Sequence, residues 1–335
     1  MLYNIGKGRK AREEEKSINL GRLGIKTKIA TELGDDIFSN YARQEFEKCG
    51  VSPINLYKGD DDIPLNVTSA MITSRDRTFM SYGHGSVEAT PDALDAAARA
   101  DFCAFLKENG MEVSALCGDM GGYGFEREED NVARVEKTKA IIDLAVDLGT
   151  HIVTTHIGVI PADDSNPRFG VMQRALTECG LYAKSKGVTL AIETGPEVAT
   201  TLLHFLEGTK GGVGVNLDPA NFVMVSGQDP ADAVDLLGKY IVHTHLKDGK
   251  KLNSDATPEQ IYHGFAVGGV EALNACKSFI ELPIGEGTVP WDRYLAALRR
   301  VGYDGYLTIE REAGEQPLED IRGAVGFIRG KVNFD

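Results

Sequence analysis

The chain has 335 residues, 42% of them apolar and 26% charged, and its 50 acidic side chains outweigh 36 basic ones for a net charge of −14. That is ample material for a large core, and the acidic balance argues against a nucleic-acid partner, because phosphate backbones are gripped by clustered Lys and Arg. No run approaches the roughly 20 apolar residues of a membrane span, and Met1 to Ser17 is polar where a signal peptide needs an apolar stretch, so a cytoplasmic protein without membrane attachment is expected. Five scattered cysteines (Cys49, Cys103, Cys117, Cys179, Cys276) lack the close pairing of a zinc or redox motif and read as buried small side chains in a reducing compartment.

Residues 1–20, with their mixed-charge run Lys7 to Lys16, read as a solvated or partner-docking extension, and residues 21–335 as one domain. From there, short β-branched runs alternate with stretches of helical period, the pattern of β-α units around a parallel sheet. The predicted strands are Thr27–Glu32, Pro53–Tyr57, Met111–Cys117, His151–His156, Thr189–Glu193, Gly212–Asp218, Ile241–His245 and Tyr306–Glu310. Between them, Thr90-Pro91 opens a helix that ends at Asn109-Gly110. Apolar stripes follow at Val135, Thr138, Ile142, Ala145 and Leu148, at Met172, Ala175, Cys179, Tyr182 and Ala183, and at Trp291, Tyr294, Leu295 and Leu298. Eight strands close a (β/α)8 barrel of α/β class, with an open doubly wound sheet as the other architecture this alternation serves.

Two stretches break the spacing, Lys58–Ala89 after strand 2 and Gly249–Glu281 after strand 7. At the C-terminal face of a barrel such insertions shape a substrate pocket or a subunit contact, surface decoration being the plainer alternative. Gly83-His84-Gly85 in the first of them reads as a lid.

Active sites of such barrels collect where the strands end, so the residue closing each strand is informative. Strands five to eight close on Glu193, Asp218, His245 and Glu310. One carboxylate at a strand end is ordinarily a helix cap or an ion pair. Four ligand-type residues at equivalent positions of consecutive units point to a shared cation, because buried carboxylates repel one another unless a divalent ion sits between them. Three oxygen ligands and one imidazole suit Mn²⁺ or Mg²⁺ better than structural Zn²⁺, with Co²⁺ tolerated. Strand alternation puts His243 on the same face as His245, which lies nearer the strand end and is read as the ligand, leaving His243 a supporting place.

The motifs Ala191-Ile192-Glu193-Thr194-Gly195, Asn216-Leu217-Asp218-Pro219-Ala220-Asn221, His243-Thr244-His245-Leu246-Lys247-Asp248, Gly285-Glu286-Gly287 with Pro290-Trp291, and Thr308-Ile309-Glu310-Arg311-Glu312 together resemble the sugar phosphate isomerase/epimerase superfamily of xylose isomerase-like barrels, over about residues 90 to 325. That superfamily includes D-tagatose 3-epimerase, inosose dehydratase and C-glycoside deglycosidase large-subunit types. The resemblance implies one divalent metal on Glu193, Asp218, His245 and Glu310, with Glu193 and Glu310 also acting as acid and base on opposite faces of a sugar. His156, closing the fourth strand, is the next catalytic or hydroxyl-binding candidate, and Asn221, Lys247, Glu197 and His243 complete the substrate-side set. Abasic-site endonucleases of the same barrel carry a His where this chain has Asn221, which argues with the charge against a nuclease.

The expected activity is a metal-dependent isomerase or epimerase working through an enediolate. A lyase using the same proton abstraction is the alternative, as in inosose dehydratases or deglycosidase large subunits acting on 3-oxo-glycosides. A non-catalytic sugar- or partner-binding barrel is the third reading. A sugar or oxo-glycoside is the expected small-molecule partner, and the insertions offer surface for a homo-oligomer or a small partner subunit.

Overall fold

The computed structural model describes residues 27–31, 33–35, 37–55, 67–72, 77–82, 96–108, 110–252, 257–264, 277–314 and 316–332. The N-terminal extension, the Gly83-His84-Gly85 lid, Thr90-Pro91 and Cys276 lie outside them. The chain forms two compact units, Met1–Glu112 and Val113–Asp335.

In the first unit, β1 (Thr27–Thr31) and β2 (Val51–Asn55) pair in parallel on either side of α1 (Ile37–Lys48). The crossover is packed by Leu33, Phe46, Cys49 and Val51, all buried. Asn55 closes it, accepting from the Leu33 amide at 2.9 Å and donating to the Leu33 carbonyl at 2.8 Å. The first insertion carries an antiparallel hairpin, β3 (Val67–Ile72) with β4 (Arg77–Tyr82), and α2 (Ala96–Glu108) follows.

The second unit holds a curled parallel sheet in which each strand lies beside the next barrel strand in chain order: β5 (Leu116–Cys117), β6 (Ile152–Thr155), β7 (Thr189–Glu193), β8 (Val213–Leu217), β9 (Ile241–Leu246) and β12 (Leu307–Ile309). The intervening helices are α3 (Glu128–Asp147), α4 (Pro167–Ser185), α5 (Ala199–Glu207) and α6 (Pro230–Leu237). A short helix over 258–264, α7, lies in the second insertion, flanked by β10 (Asp248–Lys251) and β11 (Phe279–Leu282), which pair antiparallel. The unit ends with α8 (Trp291–Arg300) and α9 (Pro317–Arg329). The expected apolar stripes are the faces the helices bury: Val135, Ile142 and Ala145 on α3, Met172, Ala175, Cys179 and Ala183 on α4, and Trp291, Tyr294, Leu295 and Leu298 on α8.

Three expectations are corrected. The strand predicted from Met111 forms ladder pairs only at Leu116 and Cys117, because the Thr150 hydroxyl takes the Ser114 carbonyl (3.1 Å) where a strand partner would be needed. The second strand begins at Val51, two residues earlier than read. Of the cysteines, Cys49 and Cys179 are buried, but Cys103 is partly buried and Cys117 is exposed.

The turn motifs of the last third have a common centre in the buried Asp248 carboxylate. It accepts from the amides of Gly249 (2.8 Å), Gly285 (2.8 Å) and Val289 (3.2 Å) and from the Trp291 indole N–H (2.8 Å). Gly287 is obligatory here, since a Cβ would stand 2.0 Å from Asp248 Oδ1. Asp248→Ala strands these donors and is expected to cost about 3 kcal/mol in urea unfolding, with Asp248→Asn costing less; equal losses would mean that packing alone is at stake.

Candidate active site

The parallel register sets the height of each site residue. Glu193 pairs with Asn216 and Thr308 with His245, while a bulge between β8 and β9 skips Val242 and sets His243 beside Asn216. His245 therefore stands level with Asp218, one step past β8, and Glu310 projects just beyond β12. One ligand atom from each of Glu193, Asp218, His245 and Glu310 lies within 4.8 Å of the others. His245 Nδ1 is 3.0 Å from Glu310 Oε2, 3.6 Å from Glu193 Oε1 and 3.9 Å from Asp218 Oδ2.

Local chemistry explains why these atoms face inward. The Asp218 Oδ1 caps the turn that follows β8, accepting from Ala220 N (2.8 Å) and Asn221 N (3.3 Å), which leaves Oδ2 over. Thr194 ties the ends of β7 and β8 together, its hydroxyl accepting from Asp218 N (2.9 Å) and donating to Asp218 O (3.2 Å). Thr244 points to the other side of β9, onto the Leu217 carbonyl and Tyr294 of α8. Asp218 Oδ2 and His245 Nδ1 are buried and make no hydrogen bond. Buried polar atoms are otherwise nearly always satisfied, so two orphaned donor atoms within a cluster of three carboxylates and an imidazole fit a divalent cation.

The charges are unevenly compensated. Burial pushes the Glu193 carboxyl up to about 7, against the pull of His156 and His245. Glu310, though burial raises it, is held well below the usual carboxylate range by His245 and Lys247. Lys247 is 6% exposed and its ammonium lies 2.9 Å from both Glu310 Oε2 and Glu312 Oε2, 3.8 Å from Asp218 and 4.0 Å from Glu281. His156 stands 3.7 Å from Glu193 and 3.5 Å from Asp119; burial opposes its charge, but these two carboxylates push it up to about 10.

The remaining sequence candidates take distinct places. His243 is buried, its ring 5.9 Å from that of His245 and its Nε2 2.9 Å from the Thr308 hydroxyl, and burial with the neighbouring His245 lowers it to about 4. The Asn221 amide donates to the Thr194 carbonyl (2.9 Å), so it holds the end of β7. Glu197 is buried in the turn after β7 with Oε1 unpartnered, and burial pushes it up to about 7.

Sequence reasoning missed two residues at this mouth. Asp119 sits two residues past β5, where the strand-end rule extended by one turn finds it. Tyr262, on α7, lies with its hydroxyl against the Gly195 α-carbon, and burial and the Glu197 carboxylate raise its phenol well above the ordinary value. Nothing in the helical pattern of the second insertion signals that it folds back over β7.

Residues 79–331 match a family described as a xylose isomerase-like TIM barrel. Among solved structures, the chain is similar to a xylose isomerase domain protein from Planctomyces limnophilus (26% identity, 72% of this chain, 83% of that one, TM-score 0.60). It is also similar to a xylose isomerase-like TIM barrel protein from Mycobacterium smegmatis in complex with magnesium (17%, 71%, 78%, 0.52) and to 3-keto-D-glucoside 4-epimerase, YcjR, from E. coli (16%, 72%, 87%, 0.51). No curated protein matches the sequence.

Asp218→Asn keeps the cap and removes the charge, so it should abolish the Mn²⁺-dependent rise in melting temperature while leaving the metal-free melting temperature within a few degrees; a retained metal response would exclude Asp218 as a ligand. Glu197 gives a pH signature. Between its ordinary 4.5 and about 7 the folded chain keeps a proton that the unfolded chain has lost, so stability falls as pH rises through that window. Glu197→Gln in EDTA is therefore expected to melt higher than the parent at pH 8 and to gain nothing at pH 4.5, and an equal difference at both would remove this account.

Proposed function

We propose, for a chain that belongs to the xylose isomerase-like TIM-barrel family, that it is a divalent-metal-dependent sugar isomerase or epimerase that removes a proton next to a carbonyl and proceeds through an enediolate. The observation that carries this is the convergence of Glu193, Asp218, His245 and Glu310, with two of their donor atoms buried and unsatisfied. Mn²⁺ suits this donor set, and Mg²⁺ or Co²⁺ fits the same ligands; the Mycobacterium smegmatis relative of the same fold was solved with magnesium. A divalent ion held there supplies Lewis-acid stabilisation of the negative charge that builds on the substrate oxygens as the proton leaves.

The chain's own residues supply the proton chemistry. Glu193 and Glu310 reach the centre from β7 and from the end of β12, and their environments differ. Glu310 is held ionised by His245 and Lys247, whereas Glu193 lies near neutrality beside His156 and accepts from the Asn216 amide at 3.4 Å. Two carboxylates with separated proton affinities are what a proton removed at one carbon and returned at the same or the adjacent carbon requires. Metal-free, Lys247 and His245 spread the Glu310 charge, so this glutamate is ready to accept a proton without first losing one.

A second reading rests on His156. Kept protonated by Glu193 and Asp119, it stands on the Glu193 side of the centre, where it can give a proton to an oxygen leaving from the carbon β to the carbonyl. Proton removal by a glutamate and departure of that oxygen then make the enzyme a lyase, of the inosose dehydratase or oxo-glycoside-cleaving kind.

The deciding experiment is proton NMR in D₂O with Mn²⁺-loaded enzyme, freed of excess ion after turnover, against ketoses, inososes and 3-oxo-glycosides. Deuterium at the carbon next to the carbonyl of recovered or epimerised sugar, reduced at least about a hundredfold in Glu310→Gln, is the expected result. Release of water or an aglycone transfers the assignment to the lyase, and neither event with any compound overturns the catalytic reading.

A further inference from the structure

The helix α7 is fastened over the mouth by one carboxylate. Glu126, from the segment between β5 and α3, receives His263 Nε2 at 2.9 Å and Arg168 Nη1 at 3.3 Å and accepts from Val159 N at 2.8 Å. Arg168 Nη2 reaches Glu259 on α7 at 2.6 Å, and His263 packs on Tyr123 with ring centroids 5.3 Å apart. Residues 259 and 263 are thus both held, and Tyr262 between them is directed at the turn Thr194 to Glu197. Its ring lies so close that a Cβ on Gly195 would stand 2.2 Å from Tyr262 Oη. The phenol makes no hydrogen bond among the described residues, and Glu197, two residues past Gly195 in the same turn, is buried with its Oε1 unpartnered. Neither group serves the metal cluster.

The two groups are complementary to one ligand chemistry. An alcohol donates its hydrogen to a carboxylate oxygen and accepts the phenol's, satisfying both at once. An anionic group does the reverse, adding charge beside Glu197, Glu193 and Asp218 where burial already penalises it. Among the described residues, the cations at this mouth are engaged: Lys247 by four carboxylates, Arg168 by Glu126 and Glu259, and His156 by Asp119 and Glu193. Each of these three already meets carboxylates, so none of them is left to receive a phosphate or a carboxylate.

We propose that the Tyr262 hydroxyl and the Glu197 carboxylate form a hydroxyl-binding subsite beside the metal centre, and that the substrate is an uncharged polyhydroxy carbonyl compound, neither phosphorylated nor carboxylated. This rests on the sugar isomerase/epimerase reading and specifies its substrate class. Tyr262 acts here as a specificity residue, touching substrate away from the reacting carbons.

The test is calorimetric titration of the Mn²⁺-loaded full chain with D-glucitol and with D-glucitol 6-phosphate, a matched pair that cannot react. D-glucitol is expected to bind and the phosphate ester to bind at least tenfold more weakly. Tyr262→Phe should weaken D-glucitol by about tenfold, the loss of one hydrogen bond, without changing Mn²⁺ affinity. Gly195→Ala, which displaces the Tyr262 ring, should reproduce that loss. With any sugar that exchanges deuterium, Tyr262→Phe should raise KM about tenfold and leave kcat within about threefold. The phosphate ester binding as tightly as D-glucitol, Tyr262→Phe binding like the parent, or neither compound binding overturns the subsite. D-glucitol binding without exchange in any sugar sinks the isomerase/epimerase reading and leaves the subsite standing, whereas exchange with tight phosphate binding does the opposite.

Discussion

Three carboxylates gathered at the end of one parallel sheet, Asp218 buried and Glu193 and Glu310 partly so, are the constraint on which the rest of the second unit depends. Ionised and unpaired, such groups cost far more than a folded domain has to spare, so the surroundings must either protonate them or supply cations. This chain does some of each. Glu193 rises toward neutrality, Glu310 is kept charged by His245 and Lys247, and Asp218 spends one oxygen on backbone amides. What is left is directed at one point, where a divalent ion fits the remaining charge and the remaining donor atoms together.

The site is held by residues that serve structure and chemistry at the same time. Asp218 ends β8, caps the turn after it and presents its second oxygen to the centre. Thr194 locks the β7 and β8 ends, and Asn221 fastens the same strand end from the far side, so the spacing between Glu193 and Asp218 is fixed by four hydrogen bonds rather than by side-chain reach. Asn216 then spans the gap, its amide 3.4 Å from Glu193 and 3.2 Å from His245. Support of this kind orients side chains that can hold a metal and tunes their basicity, so Thr194, Asn216 and Asn221 matter to the cluster as much as its own members.

The sequence reveals the strands of this cluster because β7, β8, β9 and β12 are short, largely β-branched and apolar segments with a carboxylate or an imidazole at or next to the end of each. It also separates His245 from His243 by position alone, and the structure places His243 against Thr308, a neutral and buried support. What it does not reveal is pairing that depends on distant partners. The β8–β9 bulge, which sets His245 level with Asp218, has no signature in the letters Ile241-Val242-His243. The second insertion is visible as a break in the spacing, but its β10–β11 hairpin and the helix over 258–264 are positioned by Asp248 and Glu126, acids whose partners lie up to 137 residues away in the chain. Local period speaks to element type; long-range polar contacts decide where an irregular segment is fastened.

Lys247 sharpens the case for a metal. It is a buried cation already beside Glu310 and Asp218, and a reader could take it for the counter-charge that makes an ion unnecessary. Its geometry argues otherwise. The ammonium makes its two short contacts to Glu310 and Glu312, on the β12 side, and stays 3.8 Å from the Asp218 oxygen that lacks a partner. It does not reach Glu193, whose nearest positive groups are imidazoles at 3.6 and 3.7 Å. A lysine is a point charge with three donors on a flexible stem, and here those donors are spent on one flank of the cluster. The other flank, Glu193 with the free edges of Asp218 and His245, is left to a cation that can bridge several ligands at once. Lys247 thus fixes Glu310 from outside, and it creates an asymmetry between the two glutamates, one held ionised and the other near neutrality.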